Sequence, residues 1–131
     1  MSLPRTFALI CAFVPMLAVA APAAGAESLS GGWSGGGKVF YGGTREKASC
    51  RARFSKTGGS SYSMSASCAT PSGRVDQSAS IHSVGANRFS GSFHNSQYGV
   101  SGSISISVSG GSMSVSLSGD GGGGSLRLHR N

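Results

Sequence analysis

Apolar and polar side chains alternate over most of the chain after residue 32. Between Val100 and Val108, every second residue is apolar or glycine and each residue in between is a serine. Side chains of a β-strand point alternately to opposite faces, so this period indicates strands with one buried and one solvated face. No stretch of useful length has the period of an amphipathic helix. The alternation therefore predicts an all-β domain.

Glycine-rich turns divide the alternation into eight short runs. The predicted strands are 33–41, 47–56, 61–69, 74–84, 88–95, 98–109, 112–118 and 125–130, with a flexible loop at 120–124. Short strands joined by tight turns are typical of an antiparallel meander. A meander with one apolar face must close on itself or fold into two layers. The prediction is a small closed barrel or a two-layer sandwich of about eight antiparallel strands.

The first 26 residues differ from the rest of the chain. Arg5 precedes an apolar run over 7–21, and small residues follow as far as Ala26. This order is typical of a secretory signal peptide, whereas a membrane-spanning helix needs about 20 apolar residues. We predict cleavage after Ala26, with Ala20 as the alternative, and one exported domain over residues 27–131. The mature protein is then periplasmic or extracellular and has no transmembrane segment.

Two cysteines remain after this cleavage, one in the second predicted strand and one in the third. If the turn between these strands is centred on Gly59, Cys50 lies opposite Cys68 and Phe54 lies opposite Met64. This register keeps the apolar residues on one face. An even number of cysteines in a small exported domain indicates a disulfide. We therefore predict a Cys50–Cys68 bond, with two buried free thiols as the alternative.

Basic residues are concentrated in one segment. Six of the 11 lysines and arginines lie between residues 38 and 56. Alternation directs Lys38, Lys47, Arg51 and Arg53 outward on adjacent strands, where neighbouring side chains lie about 4.5–8 Å apart. This arrangement predicts an anion-binding face. The alternative is that the charges serve solubility and strand-edge protection.

The expected partner of this face is an anionic envelope polymer, such as lipopolysaccharide or an acidic polysaccharide, or another envelope protein. Nucleic acid is not expected for an exported protein, and no aromatic side chain is expected between the charges on this face.

Candidate catalytic chemistry is sparse. The chain has only 4 acidic residues, which does not favour paired-carboxylate catalysis. His94 falls diagonal to Asp76 with serines nearby, but serines surround every histidine of this chain, and His82 is too far from His94 to share a metal. We predict no catalytic residue, no metal site and no cofactor.

Small side chains recur on the predicted inner face. They predict a narrow apolar pocket for a small molecule near Ala48, Ala52, Ala66, Ala79, Gly91 and Gly102. The alternative is that Phe54, Met64, Phe89 and Phe93 fill the space.

The first strand opens with Gly31, Gly32 and Trp33. This G-x-W start resembles the calycin barrels, such as the lipocalins, in which an arginine of the last strand packs over the tryptophan. The resemblance implies a calycin-like barrel whose base is packed by Trp33 and either Arg127 or Arg130. Bacterial periplasmic metalloprotease inhibitors share this small barrel and a single disulfide.

A second resemblance covers most of the chain after residue 26. Segment 33–37 (WSGGG), Cys50-Arg51 and Cys68-Ala69 resemble the W-S-G-x-G, C-R and C-A pattern of small exported proteins of alphaproteobacteria. This resemblance implies export and brings no activity with it.

These observations favour a non-enzymatic exported β-barrel that binds a ligand at the cell envelope. One alternative is a periplasmic protease inhibitor of similar fold. The other is a structural or adhesive β protein, which the serine alternation of the sixth and seventh strands suggests.

Overall fold

The computed structural model describes residues 28–131, so the predicted cleavage sites lie outside the described residues. Eight antiparallel strands pair in chain order, and the first also pairs with the last, which closes the barrel. The prediction of eight antiparallel strands in a meander is confirmed, and of its two forms the structure adopts the barrel. The strands are β1 Gly31–Tyr41, β2 Thr44–Gly58, β3 Ser61–Thr70, β4 Gly73–Gly85, β5 Arg88–Asn95, β6 Val100–Ser109, β7 Ser112–Gly119 and β8 Gly122–Arg130.

Closure of the barrel depends on glycines in β1. Gly35 and Gly37 lie in the ladder that joins β1 to β8. A Cβ at Gly37 would lie 2.0 Å from the backbone oxygen of Ser125, and one at Gly35 would lie 2.1 Å from that of Arg127. Backbone atoms of a paired strand cannot yield to a side chain without breaking the pairing. Glycine is therefore required at both positions for β1 to bend across β8.

The start of β8 corrects the sequence prediction. Residues 122–124, expected as a flexible loop, pair with residues 39–41 of β1. A Cβ at Gly123 would lie 2.8 Å from Cζ of Phe40 and 2.5 Å from the Leu117 backbone oxygen. The glycine run is therefore a strand. It passes so close to the Phe40 ring and to the Leu117 backbone that only glycine fits there.

The turn between β5 and β6 also differs from the prediction. Tyr98 was expected in a strand but belongs to this turn, and β6 begins at Val100. The Asn95 side-chain oxygen accepts the backbone N–H groups of Gln97 and Tyr98 at 3.0 and 3.2 Å. A side chain therefore satisfies the backbone donors that a strand partner would otherwise take.

Inward side chains fill the barrel. Ala52 and Ala66 border an internal cavity of about 10 Å³, and Val39 and Phe93 border another of about 20 Å³. Each has room for about one water molecule. The predicted pocket for a small apolar molecule is therefore wrong, and the alternative that large side chains fill the space is correct. The buried side chains that do so include Phe54, Met64, Phe89, Phe93, Leu117, Leu126 and Leu128.

A disulfide joins β2 to β3 inside the barrel. Cys50 and Cys68 lie directly opposite one another, each 2% exposed, with their sulfur atoms bonded. Phe54 lies opposite Met64, so the predicted register of this hairpin is confirmed. The bond links two strands whose inner faces carry only one alanine each between the cysteines and the Phe54–Met64 pair.

Trp33 closes one end of the barrel. Its side chain is fully buried, and its Nε1 donates a hydrogen bond to the Leu29 carbonyl oxygen at 2.9 Å. The Arg130 guanidinium lies 4.3 Å from the centre of the indole ring. The same guanidinium donates to the carbonyl oxygens of Ser28 and Ser30, at 2.7 and 3.2 Å. Arg130 therefore holds the segment before β1 against the tryptophan.

Arg127, the other predicted partner of the tryptophan, does not reach it. Arg127 is exposed and lies opposite Gly36 of β1 and Ser114 of β7. Leu126 and Leu128 face the interior. Arg130 follows these two leucines at every second position of β8 and lies at the end of the barrel. Arg127 falls between them and points outward.

Two tyrosines cover the opposite end of the barrel. The rings of Tyr41 and Tyr98 are stacked with their centres 4.5 Å apart. The Tyr41 hydroxyl donates to a Glu46 carboxylate oxygen at 2.9 Å, and the Ser72 hydroxyl donates to the other oxygen. The Ser72 hydroxyl, aided by that of Tyr41, lowers the pKa of Glu46 because both bonds favour the charged carboxylate.

Replacing both cysteines by alanine should lower the free energy of unfolding by about 2–4 kcal/mol, because the disulfide constrains the unfolded chain. Urea unfolding of the oxidised wild type and of the Cys50→Ala/Cys68→Ala variant measures this difference. Reducing agent should shift the wild type only, so equal unfolding midpoints for oxidised and reduced wild type contradict the prediction.

Arg130→Met should lower the free energy of unfolding by about 1–2 kcal/mol, because it removes the cation–π contact and two hydrogen bonds. Fluorescence of Trp33, the only tryptophan, reports the transition during urea titration. Arg127→Met is the matched control and should change stability by no more than about 0.5 kcal/mol. Equal losses in the two variants would show that Trp33 gains nothing from Arg130.

Candidate anion-binding face

Basic side chains are concentrated on one side of the barrel. Strands β8, β1 and β2 carry eight of the ten lysines and arginines of residues 28–131. Strands β6 and β7 carry no charged residue, and their outward positions are serines. The closed strand order places β6 across the barrel from β2. The barrel therefore has a basic side and an uncharged serine side.

The structure brings the four predicted anion-binding residues onto this basic side. Lys38, Lys47, Arg51 and Arg53 are all exposed, and we call them the basic face. Lys38 lies directly opposite Lys47. Like charges at opposite positions destabilise a sheet. Glu46 does not neutralise them, because its carboxylate is bonded at the end of the barrel.

The two arginines of the basic face stand among short side chains. Arg51 is flanked on the neighbouring strands by Ser34 and Ser67, and Arg53 by a glycine and Ser65. Among residues 28–131, no carboxylate forms an ion pair with either guanidinium. Both arginines are therefore available to an external anion.

A groove of about 590 Å³ runs along β3 and β4 beside these arginines. It exists because strands with short outward side chains lie between strands with long ones. We call it the arginine groove. Its floor contains Ser65, Ser67 and Ser78, and its walls contain Arg51 and Arg53 on one side and Arg74 and His94 on the other. Lys38 and Lys47 do not line it.

An ion pair occupies the second wall of the arginine groove. The Arg74 Nε lies 2.9 Å from Oδ1 of Asp76. Arg74, followed by the Ser67 hydroxyl, lowers the pKa of Asp76. The charges of Arg74 and Asp76 therefore balance each other, and the excess positive charge of the groove is on the side of Arg51 and Arg53.

His94 and Asp76 do not form a Ser-His-Asp arrangement. The Nδ1 of His94 is 2.7 Å from the Ser101 hydroxyl, whereas Asp76 is bonded to Arg74. His82 lies opposite Ser90, away from the arginine groove. Within residues 28–131, no group of three or more metal-ligating side chains comes together.

A second groove adjoins the first and is lined by residues of β3, β4, β5 and β6. It has a volume of about 440 Å³, and Ser78 and His94 line both grooves. We call it the serine groove. The serines that line it apart from Ser78 are Ser63, Ser80, Ser92 and Ser101.

Three features of this surface were not predicted from the sequence. Arg74 joins the arginine groove from β4, and His94, considered only for catalysis, lines both grooves. Phe40 is 41% exposed on the outer side of β1, and the Arg45 guanidinium lies 5.7 Å from its ring centre. The expectation of no aromatic among the basic side chains is therefore wrong. Phe40 and Lys38 are two residues apart on β1, so alternation alone would have placed the Phe40 side chain on the same outer face.

No helix within residues 28–131 is long and apolar enough to cross a membrane. No protein-family model and no curated protein matches the sequence.

Solved structures with a similar fold include designed β-barrels. One, described as a redesigned beta barrel, mFAP1, bound to DFHBI, has a TM-score of 0.65 and 13% sequence identity, covering 78% of this chain and 94% of that one. Another, described as a de novo designed fluorescence-activating beta barrel, has a TM-score of 0.63 and 15% identity, covering 84% of this chain and 100% of that one. At these identities the similarity concerns the fold alone.

Proposed function

We propose that this chain is a non-enzymatic binding module of the cell envelope that holds an anionic polymer on its basic face. The observation that carries the proposal is the direct opposition of Lys38 and Lys47 beside two arginines that no described carboxylate pairs. Solubility alone is served by dispersed charges of both signs. Clustered like charges destabilise the sheet and favour an anionic partner.

The outer surface, rather than the interior, is the proposed binding site. Similar designed barrels include one described as bound to the small molecule DFHBI. In this chain each internal cavity leaves room for only about one water molecule. We therefore do not propose a small apolar ligand inside the barrel.

Export to the periplasm or beyond is part of the proposal. The sequence before residue 27 has the order of a secretory signal peptide. A disulfide between Cys50 and Cys68 is compatible with an oxidising compartment. The resemblance to exported alphaproteobacterial proteins supports the same localisation.

The absence of enzymatic activity is proposed from the chemistry of the outer grooves. Their only side-chain carboxylate, within the described residues, belongs to Asp76, which is paired with Arg74. A carboxylate held in an ion pair with a lowered pKa is a poor general base near neutral pH. The arginines and serines that remain suit binding rather than proton transfer.

We expect the exported protein to begin at Glu27, since small residues at 24 and 26 fit a signal peptidase. N-terminal sequencing of protein from the envelope fraction and from the medium tests this and distinguishes periplasm from full secretion. Exported protein that retains Met1 would contradict the prediction.

Binding to lipopolysaccharide or acidic polysaccharide should weaken as salt rises, because the Debye length is about 10 Å at 0.1 M salt. Arg51→Ser/Arg53→Ser should weaken it about tenfold at low salt, since each variant side chain loses charged hydrogen bonds. Titration calorimetry at two salt concentrations measures both effects.

The matched control is Lys56→Ser/Arg88→Ser, which removes the same charge away from the arginine groove. It should retain most of the affinity. Equal loss of affinity in both double variants, or binding that does not change with salt, would contradict the proposal and leave solubility as the role of the basic face.

A further inference from the structure

The arginine groove and the serine groove adjoin one another, and we call them together the trough; its two ends differ chemically. They share Ser78 and His94, so one extended ligand can contact both. One end has the guanidinium groups of Arg51 and Arg53, which no described carboxylate pairs. The other end has serine hydroxyls and no lysine, arginine, aspartate or glutamate side chain.

The closed sheet restricts what the trough can hold. Each strand has a hydrogen-bonded neighbour on both sides, so no strand edge is open to an added peptide strand. Recognition therefore falls to side chains. A serine hydroxyl both donates and accepts hydrogen bonds, which matches the hydroxyls of a sugar.

The charge distribution orients such a ligand. A guanidinium binds a carboxylate or a phosphate through two parallel hydrogen bonds. On the opposite wall the charges of Arg74 and Asp76 cancel, so that wall offers an anion no net positive charge. An acidic group is therefore favoured on the side of Arg51 and Arg53, and a neutral group over the serine groove.

We infer that the trough binds an acidic oligosaccharide. The sugar that carries a carboxylate or phosphate lies over Arg51 and Arg53, and the uncharged sugar next to it lies over the serine groove. This inference rests on the proposed function and narrows it, from attraction of any polyanion to recognition of a sugar.

The test uses small probes that vary the charge and the sugar hydroxyls separately, together with the exported protein. Glucuronosyl-glucose carries one carboxylate and one neutral sugar, and maltose 1-phosphate carries a phosphate in its place. Cellobiose is the neutral probe, and N-acetyl-aspartate amide is an anion with no sugar hydroxyls. Either acidic disaccharide should bind at least about tenfold more tightly than the other two, the equivalent of about one charged hydrogen bond or one to two neutral ones.

Substitutions on the floor of the trough separate sugar recognition from charge. Ser65 and Ser78 lie opposite each other, and Ser65→Gln/Ser78→Gln fills the arginine groove without changing its charge. This variant should lose acidic disaccharide binding about tenfold while still binding lipopolysaccharide in a salt-dependent manner. The matched control is Ser105→Gln/Ser116→Gln, another exposed cross-strand pair on the uncharged side, which should bind as the wild type does.

A second variant tests the neutral subsite. Ser80 lies opposite Ser92 in the serine groove. Ser80→Gln/Ser92→Gln should weaken the binding of glucuronosyl-glucose and leave that of glucuronate alone unchanged. Circular dichroism of each variant establishes that the barrel is intact.

Failure of this inference is distinguishable from failure of the proposed function. If N-acetyl-aspartate amide binds as tightly as the acidic disaccharides, or if both trough variants bind as the wild type does, the sugar site is wrong and the polyanion site stands. If neither the disaccharides nor lipopolysaccharide bind the wild type, both proposals are wrong.

Discussion

The pairing of β1 with β8 is the constraint on which the rest of the structure depends. It requires the backbones of two strands at opposite ends of the chain to approach where a Cβ at Gly37 would lie 2.0 Å from a backbone oxygen. Once this pairing forms, the sheet has no free edge. Every strand backbone is therefore paired within the sheet, and a partner can bind only through side chains on the outer surface.

Closure also explains why the interior is solid. A barrel of eight strands is just wide enough for its inward side chains to fill. Alanines beside the disulfide are complemented by large residues such as Phe54 and Leu128, and the internal cavities are only about 10 and 20 Å³. Trp33 with Arg130 closes one end, and the stacked tyrosines cover the other. The interior therefore serves stability and leaves no volume for a ligand.

Features that depend on contacts between residues close in the sequence were predictable here, and features that depend on contacts between distant residues were harder to predict. Alternation locates a strand from its own residues, and a turn of a few residues sets the register of the next strand, which is why the Cys50–Cys68 pairing was predictable. Contacts between β1 and β8 span the whole domain. The strand at 122–124 depends on that pairing and is not visible in the local pattern, whereas the alternation of Leu126 and Leu128 already favours Arg130 over Arg127.

The arginine groove was unpredictable for a related reason. Outward parity placed Arg51 and Arg53 correctly, but a groove depends on side-chain lengths across four strands. Arg74 was invisible to a search for clustered charges, since it lies apart from the basic segment in the sequence. Its ion pair with Asp76 could not be predicted from the alternation either. Alternation places both side chains on the outer surface but does not show that their charges cancel.

The trough lies where the basic side of the barrel meets the uncharged serine side. Arg53, Ser65, Ser78 and His94 form one cross-strand row, so positive charge declines over a few strands. Neighbouring strands are about 4.8 Å apart, so this change occurs over roughly the length of a short oligosaccharide. A uniform basic surface would hold a polyanion in any direction. A surface that changes from guanidinium to hydroxyl within one groove favours a single direction, and a barrel without edges can achieve such polarity only through the order of its outward side chains.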